Sequence, residues 1–398
     1  MPNADARRVL ILSASAGSGH VRAAEALEKV FGSDPRVGEV LHIDALRYTN
    51  KLFRDFYSKL YARLVQTAPE FLGWWYDTSD EPWRTDAARL MFDRLNTGPL
   101  VRQIRAFDPH ITVCTHFMPA GIISHLIARE ELAAQLSIVV TDFDFHAMWL
   151  SRAFHRYFVA IDETRAHLEA LGFPSDRITV SGIPIDPAFA QPVDRAALRS
   201  EFGLDPGRTT LLLSAGALGL GPTEFVVERL REVRAPVQCY VTCGRSEELR
   251  EKVEAVVAGD ARFRVTGYST RMPELMGMAD LFLGKPGGLT TAEALARGLP
   301  MVILSPIPGQ EERNADHLLE QGIAVRCREL TTLPFKIDRV LAEPGRLESM
   351  RANTARLARP HAAATIAATL LEDRLSPLQI GSEQRKRMAE AAKESGQG

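Results

Sequence analysis

The sequence predicts an α/β fold of two doubly wound, Rossmann-like domains that face a shared cleft. Short apolar segments alternate with helical patterns along the chain, which is typical of parallel sheets covered by helices. The alternation is interrupted at Pro184, Pro187 and Pro192 and then begins again. The 398 residues also suit two or three domains of about 150 residues each. Ligands of such domains bind at the carboxyl ends of the strands, so we expect a site in the cleft.

The segment before the prolines contains the elements of the first domain. Arg8–Ala14 has the continuous apolar character of a buried parallel strand, and His20–Phe31 follows it with helical spacing. Further strands are predicted at residues 37–44, 111–115, 137–141, 157–161 and 178–181. We therefore place an N-terminal domain at residues 1–185.

The segment after the prolines repeats this organisation. Thr210–Ala215 is a second apolar strand, and more strands are predicted at residues 237–242, 264–266, 281–284, 300–304 and 324–326. We place the C-terminal domain at residues 186–375. Residues 376–398 are polar and lack a long apolar stripe, so we expect a disordered tail there.

Composition excludes several classes of protein. The hydrophobic content of 45% and charged content of 25% are ordinary for a soluble globular protein. A net charge of -2 argues against a nucleic-acid binder that works by bulk charge. The N-terminus lacks the form of a signal peptide, and no apolar run approaches the ~20 residues of a membrane-spanning helix. We expect all four cysteines to be reduced, as in a cytosolic protein: Cys114, Cys239, Cys243 and Cys327.

A glycine loop joins the first predicted strand to its helix. Gly17 and Gly19 permit a tight turn, and the helix start offers free N–H groups. The third glycine of the dinucleotide fingerprint is missing, which disfavours NAD binding. His20 would point into the cleft, where an imidazole with an ordinary pKa of about 6.5 can take a proton from an alcohol. A surface histidine in a plain turn is the open alternative.

The most distinctive segment is Lys285–Asn314, with the sequence KPGGLTTAEALARGLPMVILSPIPGQEERN. Thr290 and Thr291 fall in the first turn of a predicted helix, where hydroxyls and backbone amides can hold phosphate. Glu293 lies one turn further on, and its carboxylate can accept the two hydroxyls of a ribose. Three polar residues after a proline-rich loop suit hydrogen bonding to sugar hydroxyls: Gln310, Glu311 and Asn314.

These motifs resemble those of GT-B glycosyltransferases. Over most of residues 8–370 the chain is similar to the family of monogalactosyldiacylglycerol synthases and processive diacylglycerol β-glycosyltransferases, which are relatives of the peptidoglycan UDP-N-acetylglucosamine transferase. Besides residues 285–314, the resemblance rests on three motifs: Ala16–His20 with Ala23 and Ala24, Val140–Phe143 with His146 and Trp149, and Gly182–Ile185 with Pro187 and Phe189.

The resemblance implies a UDP-sugar site in the C-terminal domain, which would be the donor-binding domain. Glu293 would hold the uridine ribose, and Gln310 and Glu311 would face the sugar. The groups that approach the diphosphate would be Gly287, Gly288, Leu289 and Thr290, with Gly216 in a second glycine loop whose alternative is a plain turn. The uracil turn would contain Gly267, Tyr268 and Met272.

The resemblance also implies inverting chemistry. His20 would deprotonate an acceptor hydroxyl, which attacks the anomeric carbon from the face opposite UDP. Amides and Lys285 would stabilise the departing diphosphate, so neither a metal ion nor a cofactor is expected. Asp142 would orient His20 or His116. Phe117 follows His116 where the family has proline, so a structural role for His116 stays open.

The N-terminal domain would face the acceptor and the membrane. By resemblance, Gly19, His146 and Trp149 shape the acceptor site. Residues 47–95 carry an aromatic and basic helical pattern that is typical of membrane-surface elements. The aromatic residues of this segment that we expect at the membrane include Phe53, Tyr57, Trp74 and Trp75. Packing of this stripe against the domain core is the alternative from pattern alone.

The sequence therefore predicts a cytoplasmic enzyme at the inner face of an anionic cell membrane. It would transfer glucose or galactose from a UDP-sugar to diacylglycerol or a related lipid. A UDP-N-acetylglucosamine 2-epimerase shares the two-domain fold, but the aromatic, basic segment argues against it. A non-catalytic UDP-sugar-binding regulator is a further alternative, against which the presence of His20, Asp142, Glu293 and Gln310 argues.

Overall fold

The computed structural model describes residues 6–15, 17–49, 76, 78–83, 98–219 and 222–394. The predictions for Phe53, Tyr57, Trp74 and Trp75 lie outside the described residues. The chain divides into two compact units. The N-terminal unit comprises Met1–Pro187, Pro308–Gln310 and His361–Gly398, and the C-terminal unit comprises Ala188–Ile307 and Glu311–Pro360. The first boundary falls within the predicted proline linker.

The N-terminal unit contains a parallel sheet of six strands in the order β2-β1-β3-β4-β6-β7. Its strands are β1 (Arg7–Ser13), β2 (Val37–Asp44), β3 (Ile111–Cys114), β4 (Gln135–Val139), β5 (Ala153–Phe154), β6 (Arg156–Val159) and β7 (Ile178–Val180), with β5 outside the sheet. Its first helices are α1 (Ser18–Gly32), α2 (Gly98–Phe107), α3 (Phe117–Ala128) and α4 (Asp162–Ala170).

Strand β1 shows why this sheet is covered on both faces. Leu10 and Leu12 enter one core with side chains of α2 and α3, whereas Val9 and Ile11 enter another with side chains of α1. All four side chains have no exposed surface. Successive strand residues point to opposite faces, so a run of apolar residues is stable only between two helical layers.

The C-terminal unit contains a second parallel sheet of six strands, in the order β10-β9-β8-β11-β12-β13. The strands are β8 (Thr209–Ser214), β9 (Val237–Thr242), β10 (Phe263–Thr266), β11 (Leu281–Gly284), β12 (Met301–Leu304) and β13 (Ala324–Cys327). The helices are α5 (Arg195–Glu201), α6 (Thr223–Leu230), α7 (Glu247–Val257), α8 (Met272–Met278), α9 (Gly288–Ala296), α10 (Gln310–Glu320), α11 (Leu333–Ala342) and α12 (Arg346–Leu357).

Both sheets contain a point where the strand order reverses. In the N-terminal unit this point lies between β1 and β3, and in the C-terminal unit it lies between β8 and β11. In doubly wound sheets, ligands bind outside the carboxyl ends of the strands at such a point. The order of the second sheet is the one found in dinucleotide-binding folds. The predicted fold class of two doubly wound α/β domains is therefore confirmed.

The C-terminal segment differs from its prediction. Helix α13 (Ala362–Glu372) belongs to the N-terminal unit and packs on α1 through Ile366 and Leu370. Strand β14 (Leu378–Gln379) pairs antiparallel with β5, and α14 (Ser382–Glu394) follows it. Ile380 and Met388 are buried in the N-terminal core. The segment expected to be disordered therefore folds, because two isolated apolar side chains anchor it.

An ion cluster supports the amino-terminal edge of the second sheet. Asp280 accepts hydrogen bonds from the Thr210 amide at 2.8 Å and from Arg195 and Arg199 at 2.7 Å, and Arg351 completes the cluster. Burial raises the pKa of the Asp280 carboxyl, but the Thr210 amide and the three guanidinium charges outweigh burial and hold it below its ordinary value. The carboxylate therefore ties α5 and α12 to the start of β8.

The four cysteines are free and buried. Burial raises the pKa of each thiol, so none of them is activated as a thiolate. Across the described part of the chain, no helix combines the length and the apolar character that a bilayer span requires.

Candidate active site

His20 lies in the first turn of α1, the helix that follows β1. Its ring contacts one residue that follows β3 and one that follows β4. Its Nδ1 lies 3.0 Å from the carbonyl oxygen of Thr115 and 2.8 Å from the hydroxyl of Thr141. Thr115 in turn donates its hydroxyl to the carbonyl oxygen of His20 at 2.8 Å. These contacts cross the point where the strand order reverses. The turn also contains Gly17, which directly precedes α1 and has an extended backbone conformation. Gly19 is the second residue of the helix.

The partners of His20 determine its tautomer. A carbonyl oxygen can only accept a hydrogen bond, so Nδ1 carries the hydrogen and donates it to Thr115. The lone pair of Nε2 is then left as the proton acceptor of the ring. Desolvation lowers the pKa of His20 from 6.5 to about 4, against a smaller opposing effect of the Thr115 carbonyl. The ring is half-buried and neutral at pH 7.

An aromatic cluster surrounds this ring. His116 contacts it edge-on at 4.6 Å between centroids, and Trp149 lies 6.4 Å from both histidine rings. Phe117 packs at 5.9 Å against Trp149. His116 is buried, and its Nδ1 accepts a hydrogen bond from the Met118 amide at 3.1 Å, which begins α3. His116 therefore caps α3, which is a structural contact.

Asp142 is buried and lies three residues beyond β4. The sequence predicts that Asp142 orients His20. In the structure the hydroxyl beside His20 Nδ1 belongs to Thr141, so Thr141 is a second candidate for that role. Neither Thr115 nor Thr141 was singled out from the sequence. The available signal was their position at the carboxyl ends of strands, since Thr115 follows β3, at the reversal point, and Thr141 follows the neighbouring β4.

His146 fixes the part of the inserted segment that the structure describes. Its Nδ1 accepts from the Met148 amide at 3.1 Å, so Nε2 carries the hydrogen and donates to the Tyr76 carbonyl oxygen at 2.9 Å. Asp80 accepts from the Ala147 amide at 2.7 Å. Tyr76 and Asp80 are therefore held against the turn that leads to Trp149, which is a positioning contact beside the predicted acceptor residues.

In the C-terminal unit, β11 is followed by the turn that begins α9. Gly287 precedes the helix in an extended conformation and has no side chain to cap it. The amide of Thr291 bonds to the carbonyl oxygen of Gly287 at 2.9 Å, which leaves the three preceding amides pointing out of the helix end. Those amides belong to Gly288, Leu289 and Thr290. Lys285 is half-buried directly before this turn.

One polar side chain of α10 bonds to the loop before its own helix, and another bonds to the turn before α9. Glu311 accepts from the Ile307 amide at 2.7 Å through Oε2, and Asn314 donates to the Pro286 carbonyl oxygen at 3.1 Å. Asn314 has no exposed surface. Gln310 is half-buried at the start of α10, and Glu293 is buried within α9 with 1% of its surface exposed. Of the predicted polar residues of α10, Asn314 and Glu311 therefore lie beside the start of α9.

Glycine loops lie beside this helix start. Gly216, after β8, has φ +76°, and Gly244, after β9, has φ +63°. A Cβ atom on Gly244 would lie 2.3 Å from the Gly216 carbonyl oxygen, so only glycine allows the two loops to touch. Gly267 follows β10, and Met272 begins α8. Tyr268 is 48% exposed next to them.

A serine–histidine–glutamate chain occurs elsewhere in the N-terminal unit. The Ser13 hydroxyl lies 2.8 Å from His42 Nε2, and His42 Nδ1 lies 3.3 Å from the Glu28 carboxylate. This is the connectivity of a nucleophilic triad, yet Ser13 has no exposed surface. Its hydroxyl cannot reach an external substrate, so the chain joins β1, β2 and α1 rather than performing catalysis.

Two protein families match the chain. The Monogalactosyldiacylglycerol (MGDG) synthase family matches residues 20–185, and the Glycosyltransferase family 28 C-terminal domain matches residues 223–393. The first match lies in the N-terminal unit, and the second begins in the C-terminal unit and ends in the segment after Pro360. The family resemblance predicted from the motifs is thereby confirmed. His20 is the first residue of the MGDG synthase match, and the helix start at Gly287 lies inside the family 28 match.

Curated relatives match both domains together. A processive diacylglycerol β-glucosyltransferase of Bacillus mycoides is 29% identical over 381 residues, which cover 92% of this chain and 94% of that protein. An enzyme of the same name from Staphylococcus epidermidis is 26% identical over 328 residues and covers 79% of this chain and 80% of its own length.

Solved structures show the same GT-B fold. MurG of Acinetobacter baumannii has a TM-score of 0.56 at 15% identity, over 92% of this chain and 100% of that chain. The UDP-GlcNAc 2-epimerase of Neisseria meningitidis, bound to UDP-GlcNAc, has a TM-score of 0.58 at 12% identity, over 92% and 100% of the two chains. At these identities the likeness concerns the fold alone.

Proposed function

We propose that this two-domain glycosyltransferase transfers a hexose from a UDP-sugar to diacylglycerol with inversion, forming a β-glycolipid. The acceptor class is supported by the curated relatives, which are named processive diacylglycerol β-glucosyltransferases. The observation that carries the proposal is the hydrogen bond from His20 Nδ1 to the Thr115 carbonyl oxygen at 3.0 Å. It leaves Nε2 of a neutral imidazole as a fixed proton acceptor.

In the proposed reaction His20 is the general base. Nε2 takes the proton of the acceptor hydroxyl while that oxygen attacks the anomeric carbon of the sugar. The bond from the anomeric carbon to the donor phosphate oxygen breaks, and its electron pair leaves with UDP. The hydroxyl becomes strongly acidic as the new bond forms, so a base with a pKa of about 4 can accept its proton.

The C-terminal unit would bind the donor at the start of α9. The outward amides of Gly288, Leu289 and Thr290 favour an anion, as does the positive end of the helix dipole. With Lys285 they would stabilise the departing diphosphate, so we expect the reaction to need no metal ion. Glu293 would hold the ribose, and Gln310 with Glu311 would face the sugar. Gly267, Tyr268 and Met272 would form the uracil turn.

The N-terminal unit would receive the lipid. Trp149 and Phe117 form an apolar wall beside the base, which suits a hydroxyl attached to acyl chains. We propose that the protein binds the inner face of the cell membrane peripherally, because its acceptor resides in a bilayer. The residues predicted to make that contact, Phe53, Tyr57, Trp74 and Trp75, lie outside the described residues.

A donor panel tests this proposal. The purified protein is mixed with diacylglycerol vesicles and UDP-glucose, UDP-galactose or UDP-N-acetylglucosamine, and products are identified by mass spectrometry and by NMR of the anomeric proton. A β-linked hexosyl diacylglycerol supports the proposal, and EDTA is expected to leave the rate unchanged. An α-linkage would contradict inversion. No glycolipid from any donor would contradict the proposal, and an epimerised UDP-sugar without lipid product would support the epimerase instead.

A further inference from the structure

Arg245 occupies a fixed position beside the two glycine loops of the C-terminal unit. It directly follows Gly244 at the carboxyl end of β9, and its amide donates to the Ala217 carbonyl oxygen at 3.0 Å. Because Gly244 packs on the Gly216 carbonyl oxygen, the backbone at Arg245 is joined to the loop that follows β8. Nothing in the sequence pattern had marked this residue.

The side chain of Arg245 is oriented by an aromatic ring. Its guanidinium carbon lies 4.6 Å from the centroid of Tyr268, within the range of a cation–π contact. Arg245 is exposed, and within the described part of the chain its guanidinium forms no ion pair with a carboxylate. Arg250, on the helix that follows, is by contrast paired with Glu247 and Glu254. Tyr268 thus orients Arg245 while leaving its hydrogen-bond donors available.

We propose that Arg245 binds the diphosphate of a nucleotide-sugar donor and that Tyr268 positions it. This inference rests on the proposed function and adds a second positive charge to a donor site whose residues predicted above include one cation, Lys285. Strand β8 separates β9 from β11, and neighbouring strands lie about 4.8 Å apart. The guanidinium of Arg245 and the amides at the start of α9 therefore flank the loop after β8 from its two sides.

Two kinds of group would bind the diphosphate together. The helix amides at residues 288–290 are neutral donors of fixed direction, and Arg245 adds a full charge with a planar set of N–H groups. A stacked guanidinium has already lost much of its rotational freedom, so less entropy is lost when it binds phosphate. Uridine without phosphates would gain nothing from this charge.

The test compares ligands with and without the diphosphate. Calorimetric titrations of the full chain with UDP and with uridine are run for the wild type, Arg245→Gln and Arg208→Gln. Arg208 is an exposed arginine at the opposite, amino-terminal end of β8, so its variant loses the same charge away from the site. We expect Arg245→Gln to weaken UDP binding by about tenfold or more and to leave uridine binding unchanged. Arg208→Gln should match the wild type.

Tyr268→Leu provides a second measurement. It removes the stacking partner but keeps the charge, so the ratio of UDP affinity to uridine affinity should fall by less than in Arg245→Gln, whatever Tyr268 contributes to binding the base. Circular dichroism checks that each variant is folded. Equal UDP affinity in wild type and Arg245→Gln would overturn the role of Arg245 while leaving the donor class intact. An equal loss of UDP and uridine would also overturn it. A wild type that binds neither ligand would overturn the proposed function and this inference together.

Discussion

The Nδ1 atom of His20 lies 3.0 Å from the carbonyl oxygen of Thr115, across the reversal point of the first sheet. This bond joins the helix after β1 to the end of β3, and it decides which ring nitrogen can accept a proton. The predicted pH dependence concerns the nitrogen that this bond leaves free. The prediction for Thr141 concerns the second contact of the same Nδ1 atom.

The first prediction concerns pH. Because the pKa of His20 is about 4 in the folded protein, the ring stays unprotonated well below neutral pH. We expect kcat/KM to lose little from base protonation between about pH 7 and pH 5, whereas an ordinary histidine would lose most of its activity there. Steady-state rates across this range measure it. A fall in rate with a midpoint near the ordinary histidine pKa would contradict the geometry.

The same shift affects stability. A lowered pKa means that the folded protein binds this proton less readily than the unfolded chain. The contribution of His20 to folding is therefore complete above the ordinary histidine pKa of 6.5 and declines as the pH falls from there toward about 4. Thermal unfolding at several pH values should show a smaller decline in His20→Gln than in the wild type. Equal declines of thermal stability in His20→Gln and the wild type would argue against a desolvated, neutral ring.

The second prediction concerns Thr141. Thr141→Val removes the hydroxyl that lies 2.8 Å from His20 Nδ1 but keeps the size of the side chain. We expect kcat to fall by about tenfold with little change in the KM for either substrate, because one of two contacts that orient the ring is lost. The matched control is Thr112→Val in β3, whose buried hydroxyl has no hydrogen-bond partner among the described residues. Identical kinetics for the two variants would show that Thr141 does not orient His20.

The third prediction concerns Asn314. Its amide donates to the Pro286 carbonyl oxygen in a fully buried position, so Asn314→Ala leaves that acceptor unsatisfied. We expect a loss of about 1–3 kcal/mol in unfolding free energy and a higher KM for the donor, because the turn before α9 loosens. Asn353→Ala removes an exposed bond to Gly322 and serves as control. An unchanged KM for the donor in Asn314→Ala would show that Asn314 does not support the proposed donor site.

The fourth prediction concerns the Asp280 cluster. Asp280→Asn leaves three neighbouring guanidinium groups without their shared charge, and we expect it to destabilise the C-terminal unit by about 3–5 kcal/mol in urea unfolding. Asp162→Asn, in an exposed pair with Arg165, should cost less than about 1 kcal/mol. A similar small effect of both variants would refute the structural role of the cluster.

The cluster also implies a sensitivity to acid. Asp280 has a lowered pKa in the folded protein, so its stabilisation is complete above the ordinary carboxyl pKa and is lost as the pH falls through and below that value. Urea unfolding of the wild type in mildly acidic buffers should show this decline, and Asp280→Asn should show less of it.

The sequence predicted the strands well because buried parallel strands are continuous apolar runs. Val37–Asp44, Val237–Thr242 and Leu281–Gly284 have the predicted bounds. The C-terminal segment was not predicted, because Ile380 and Met388 are too isolated to form a recognisable apolar stripe. Tertiary packing alone gives these two residues their role.

The candidate site was predictable where backbone conformation restricts the residue type. Glycines at loop ends and the polar residues near Asn314 indicated the strand ends of the C-terminal unit where we propose that the donor binds. Thr115 escaped because it acts through a backbone carbonyl group, which has no signature in sequence. Arg245 escaped because its stacking on Tyr268 joins the ends of two neighbouring strands. His146 was assigned to the acceptor, and its observed contact with the Tyr76 carbonyl oxygen, which has no signature in sequence, adds a positioning role.

The most direct test of the central claim is single-turnover transfer from UDP-glucose to diacylglycerol vesicles by the wild type and His20→Gln, with UDP affinity measured in parallel. His361→Gln, an exposed histidine of the same unit, is the control. We expect glycolipid formation by the wild type and the control, and a loss of about 100-fold or more in His20→Gln with unchanged UDP affinity. A folded His20→Gln that transfers the sugar at the wild-type rate would contradict it.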